Sequence, residues 1–143
     1  MSFTLDYSMR RNHLPITIDG HIMETVQETK FLGVIIQNDL RWTAHMKHER
    51  SKLAKAIGIL YKARSKLSVN TLLMLYYAFL YPYIHYCNTV WGGGSTVHLN
   101  PIHLLQKRAI RAIYGFSHVG STAPYFAESR VMTSFQVNLY HVI

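Results

Sequence analysis

The chain of 143 residues has one cysteine, Cys87, and seven acidic side chains against 15 lysines and arginines. One thiol excludes a disulfide within the chain, and it suits a reducing, intracellular setting, cytoplasm or nucleus. With no charge beside it in the sequence, Cys87 is expected to be an inert core thiol. The acids are Asp6, Asp19, Glu24, Glu28, Asp39, Glu49 and Glu128, and no two of them are adjacent or one residue apart. Two-metal phosphoryl transfer needs carboxylates clustered around ions about 4 Å apart. This pattern offers no such cluster, so neither a catalytic residue nor a metal ligand is expected. His45 and His48 have an i,i+3 spacing that can bind metal, but no cysteine or third ligand accompanies them at a known spacing. One buried and one exposed histidine is the expected arrangement.

Long apolar runs are also missing. The longest, Leu72–Cys87, is shorter than the ~20 residues of a membrane span. It also carries five tyrosines, Pro82 and His85. Tyrosine hydroxyls seek partners or water, so a central, buried helix is expected and a membrane partner is not. Met1–Asp6 has neither the charge nor the apolar stretch of a signal peptide. Trp91–Thr96 contains three consecutive glycines but not the spaced glycines, lysine and hydroxyl of a phosphate-binding loop. It reads as a flexible loop. Internal repeats and low-complexity blocks are absent.

What remains is a basic, apolar-rich chain of net charge +8 with 49% hydrophobic residues, enough for a core. A balance this basic points to a polyanion as partner. The pattern changes near residue 41, strand-like before and helical after. Pro15–Ile18 alternates, Asp19-Gly20 is a two-residue hairpin turn pair, and His21–Val26 returns. Lys30–Ile36 reads as a third strand, with Gly33 as a bulge or close backbone approach. A first long helix follows Thr43, an acceptable N-cap, with Met46, Leu53, Ile57, Leu60, Arg64 and Leu67 on one face. Lys47, Lys52, Lys55, Lys62 and Lys66 fall on the other. Between Arg41 and Lys66 the only acid is Glu49, so the helix forgoes the i,i+4 pairs that solvated helices use. The lysine row is either a plain solvated face or a surface whose repulsion a polyanion relieves. A second helix begins near Ser68 or Asn70 and is kinked or ended by Pro82. A third starts near Pro101 and stops at Gly115, with Lys107, Arg108 and Arg111 clustered on one side. A short helix comes after Thr122. The expected fold is α+β, mainly α: a small antiparallel sheet, made of a hairpin plus a third strand, then three or four packed helices.

Lys30-Phe31-Leu32-Gly33-Val34-Ile35-Ile36, then Leu40, Trp42 and His45, resembles a block of non-LTR retrotransposon reverse transcriptases of the Jockey-like group. Ser65–Tyr76, Pro82-Tyr83, Tyr86-Cys87, Val90-Trp91-Gly92, Leu104–Arg111 and Thr122-Ala123-Pro124 with Phe126 continue the likeness in order, over about residues 14–126. In that family the first block is the primer grip at the end of the palm, and the later blocks belong to the thumb. The resemblance therefore implies residues 1–40 as the end of a palm and 41–143 as a thumb-like helical region. Met1–Thr4 resembles an internal palm strand, and the catalytic aspartates, with their magnesium, are expected in a palm outside this chain. It further implies contact with an RNA–DNA or DNA duplex through Phe31, Leu32, Gly33, Val34, Lys47, Lys55, Lys62, Lys66, Lys107, Arg108 and Arg111. Phe31 and Val34 are equally readable as core residues packed behind Gly33. A stand-alone basic nucleic-acid-binding module and a functionless relic of a decayed element stay open beside this reading.

Overall fold

The computed structural model describes residues 16–24, 26–93, 96–116 and 120–143. The likeness of Met1–Thr4 to a palm strand lies outside the described residues, as do Pro15, Thr25, Gly94 and Ser95 of the expected hairpin and loop. The chain divides into two units, Met1–His45 and Met46–Ile143. The fold is α+β and mainly α, as the sequence pattern predicts. Among the described residues it has seven helices and two separate two-stranded antiparallel sheets.

In the first unit, β1 (Thr17–Ile18) pairs with β2 (His21–Ile22), with Ile18 opposite His21. Asp19 and Gly20 make the turn, at φ 51° and 79°. Positive φ at both central residues matches the right-handed twist of the flanking strands. The expected third strand is instead a second hairpin, a correction. β3 (Glu28–Phe31) runs into β4 (Val34–Gln37) through Leu32 and Gly33, with Phe31 opposite Val34. Leu32 has φ 45° and Gly33 φ 85°, so Gly33 makes a tight turn and not a bulge. Glycine takes that angle at no steric cost, whereas Leu32 bears the cost of a left-handed conformation with a side chain.

Gln37, at the end of β4, caps the first helix. Its Oε1 accepts from the Thr43 hydroxyl and the Ala44 amide, both at 2.8 Å. Helix α1 (Thr43–Ala63) thus starts at the expected place, but with Gln37 serving one of its free N-terminal amides. His45 is buried, and its Nδ1 accepts from the Ile35 amide at 3.4 Å.

In the second unit, Met46, Leu53, Ile57 and Leu60 of α1 are buried, as their spacing predicts. Arg64 and Leu67, assigned to the same face, are exposed, because the helix ends at Ala63 and the three- and four-residue spacing loses its meaning there. Ser68 caps α2 (Val69–Phe79), its Oγ accepting from the Thr71 amide. The long apolar run is then divided. Pro82 sits in the first turn of α3 (Tyr81–His85), where its missing N–H costs no helical bond. Cys87 is half-buried with φ 52° and starts α4 (Asn88–Gly92). The expected loop from Trp91 is therefore partly helix. Trp91 is buried and its indole N–H donates to the Tyr86 carbonyl at 2.9 Å.

Helix α5 (Thr96–Tyr114) begins five residues before Pro101, not at it. The proline removes a single bond, to the carbonyl of Val97, which is exposed; so near a helix start the loss is small. Gly115 ends α5 at φ 73°. Then come α6 (Ala123–Ser129) and α7 (Ser134–Val142). Thr133 and Gln136 cap α7 reciprocally: the Thr133 hydroxyl accepts from the Gln136 amide, and the Gln136 side chain accepts from the Thr133 amide at 2.8 Å.

One buried amide ties this unit together. Gln106 is 1% exposed. It donates to the Tyr76 hydroxyl at 2.9 Å and to the Met132 carbonyl at 3.1 Å, and accepts from the Ser134 amide at 2.7 Å. It thereby joins α2, α5 and the start of α7. No helix among the described residues is long and apolar enough to cross a membrane.

Candidate nucleic-acid interface

On α1, Lys47, Lys55 and Lys62 are all exposed. Separations of eight and seven residues keep the three within roughly a quarter of the helix circumference, spread over about 22 Å of axis at 1.5 Å per residue. Among the described residues none of the three enters an ion pair. Lys66 is also exposed but lies past the end of α1, so it does not extend the row along the helix axis. Lys52 leaves the row too. It pairs with Glu49 at 3.2 Å and its Nζ sits 4.9 Å from the Tyr83 ring centre.

On α5 the expected cluster of Lys107, Arg108 and Arg111 is only partly assembled. Lys107 and Arg111, one turn apart, line an open hollow of about 590 Å³ between α5, α6 and the start of α7. Arg108, about 100° further round the helix, is exposed and does not line it. His103 lines the hollow one turn before Lys107, and Arg130, just past the end of α6, brings a third permanent cation. The sequence reading missed Arg130 and His103. His103 is held below the ordinary imidazole range, first by burial and then by the charge of Lys107, with Gln106 acting the other way. The ring of Phe126 lies 5.8 Å from it and that of Phe135 5.3 Å.

In the first unit, Phe31 and Leu32 are 62% and 74% exposed at the hairpin tip, Gly33 is exposed, and Val34 is buried. Packing behind the glycine therefore falls to Val34 alone. Phe31 ends β3 opposite Val34 but is itself largely exposed, so it is not a core residue of this hairpin. Among the described residues no group of three His, Cys, Asp or Glu side chains is placed to hold a metal.

The sequence has relatives of known kind. The chain is 31% identical, over 119 residues and 80% of its length, to the RNA-directed DNA polymerase from mobile element jockey of Drosophila funebris. It is 28% identical over 119 residues to the Drosophila melanogaster counterpart, and 28% identical over 109 residues to the probable RNA-directed DNA polymerase from transposon X-element of that species. The chain is a homologue of Jockey-like non-LTR retrotransposon polymerases. The matched stretch is 12% of each of these three relatives, so it corresponds to a small part of a Jockey-like polymerase. No family model matches the chain, and no solved structure matches it.

Proposed function

We propose that this chain is the duplex-holding part of a Jockey-like reverse transcriptase, thumb-like from α1 onward and primer-grip-like at the β3–β4 tip. The observation that carries the proposal is the exposed row of Lys47, Lys55 and Lys62 on one face of α1, unpaired among the described residues. A cationic row on a straight helix neutralises backbone phosphates, and such contacts position a duplex without reading its sequence. The exposed Phe31-Leu32-Gly33 tip supports the second half of the proposal, since a protruding turn with a glycine lets backbone approach a strand end closely. In this reading polymer synthesis, its aspartates and its magnesium belong to the remainder of the polymerase, and these residues only hold the template–primer.

The test is binding of the chain to a labelled RNA–DNA duplex, titrated across salt. Each phosphate contact adds roughly 0.9 to the slope of log affinity against log salt for a B-form duplex. Lys47→Gln, Lys55→Gln and Lys62→Gln together are expected to flatten the slope by roughly two to three units on that scale. Binding whose slope the triple variant leaves unchanged, or no binding at low salt by a folded chain, refutes the proposal.

A further inference from the structure

The hollow between α5, α6 and the start of α7 is chemically unlike the α1 row. The row is a set of solvated ammonium groups. The hollow is concave and lined by Lys107, Arg111, Arg130 and His103, and no Asp or Glu lines it among the described residues. Its donors are also under-used. Arg111 Nε is shut away from water and has no hydrogen-bond partner among the described residues, and Arg111 Nη2 makes only a long contact of 3.4 Å to the Gly120 carbonyl. His103 Nδ1 is likewise buried and without a hydrogen-bond partner. A buried donor without an acceptor carries a desolvation cost that an acceptor brought within its reach relieves. Arg111 Nε is such a donor, and His103 Nδ1 is one in the tautomer that carries its proton there. At the start of α7 the Thr133, Ser134 and Gln136 amides already have acceptors, in Gln136, Gln106 and Thr133 respectively, so the cationic side chains are the main attraction for an anion.

We infer that this hollow is a phosphate pocket that takes one phosphate group of a nucleic-acid strand. Arg111 presents a planar fork suited to two phosphate oxygens, and Lys107 and Arg130 add point charge from either side. A volume of about 590 Å³ exceeds what a phosphate alone needs and leaves room for the attached sugar. Phe126 in the lining gives that sugar an apolar wall. The inference deepens the nucleic-acid reading at α5 and rests on it for the source of the phosphate. The chemistry is shared by a terminal phosphomonoester and an internal phosphodiester.

The 143-residue chain, with its histidine rings isotope-labelled, is titrated with inorganic phosphate replacing chloride at constant ionic strength. The His103 ring signals, identified with His103→Gln, are expected to move saturably. The pair Lys107→Gln and Arg130→Asn is expected to weaken that binding at least tenfold. Arg130 has φ 54°, a conformation that asparagine tolerates better than most residues, so the pair removes two charges without backbone strain. Lys107→Arg, which keeps the charge, should retain binding. No saturable movement, or equal binding by the paired variant, overturns the pocket. RNA octamers with and without a 5′-phosphate then compete for the site. Preference for the phosphorylated octamer supports a strand end, and equal competition supports an internal phosphate. Free phosphate that binds while neither octamer competes overturns the assignment to a strand. The α1 triple variant leaves the hollow intact, so the pocket and the duplex grip fail independently.

Discussion

Replacing Gln106 with leucine tests the packing of the helical unit most directly. Leucine is similar in volume, so the cavity term is small and the change isolates polar contacts. Three hydrogen bonds disappear: to the Tyr76 hydroxyl, the Met132 carbonyl and the Ser134 amide. At a net ~1 kcal/mol each they sum to about 3 kcal/mol. The Ser134 amide and the Tyr76 hydroxyl belong to buried residues, so stranded partners raise the loss to about 3–5 kcal/mol. That is a fifth or more of the roughly 5–15 kcal/mol typical of a folded domain. Urea unfolding followed by circular dichroism measures it, in the chain and in the Tyr76→Phe background. In that background one of the three bonds is already gone, so Gln106→Leu should cost about 1 kcal/mol less, the coupling a double-mutant cycle reads. A loss below about 1 kcal/mol, or no coupling with Tyr76, would show that this amide does not join α2, α5 and α7 and would refute the reasoning.

The same geometry sets two further outcomes. His103 is held below its ordinary range by burial and by Lys107, so the folded state favours the neutral ring. Its contribution to stability is therefore full above about pH 6.5, the ordinary imidazole value, and is lost as the pH falls below it. His103→Gln should make urea stability less pH-dependent between about pH 5 and 7.5, and an unchanged dependence would remove His103 as the cause. At the hairpin tip, Gly33→Ala places a Cβ on a residue with φ 85° and should cost about 1–2 kcal/mol locally. Amide exchange in β3 and β4 should quicken roughly five- to thirtyfold on that energy, while α5 amides keep their protection; equal exchange would mean the turn is not strained by a side chain.

What the sequence disclosed and what it hid differ by the range of the interactions involved. The buried face of α1, the Asp19-Gly20 turn, the Ser68 cap and the Gly115 stop are written in neighbouring residues, where 3.6-residue spacing, glycine's positive φ and a hydroxyl acceptor act within one or two turns. The Leu32-Gly33 turn was hidden because an apolar residue at a turn position continues the β-branched run that signals a strand. The helical place of Trp91 was hidden for a related reason: the glycines after it suggest a loop, while its burial and its bond to the Tyr86 carbonyl come from packing. The helix cap in Thr133–Gln136 is equally local, a hydroxyl residue and a glutamine three apart.

The two candidate contact surfaces divide along the same line. Lys47, Lys55 and Lys62 share a face because one helix places them there, so the row needs only α1 to be helical. Lys107, Arg111 and Arg130 meet only when α5, α6 and the segment after it pack, and no spacing along the chain joins residue 130 to residue 107. Gln106 fixes that packing by holding the Met132 carbonyl and the Ser134 amide, and Met132 and Thr133 line the hollow. The row and the hollow should therefore respond differently to Gln106→Leu. A chain weakened at Gln106 but still folded at low temperature should keep the steep salt dependence that α1 gives to duplex binding. The same chain should lose phosphate affinity at the hollow. Equal loss at both surfaces would mean that one global stability governs them, and equal retention would mean that the hollow does not depend on the amide that spans its wall.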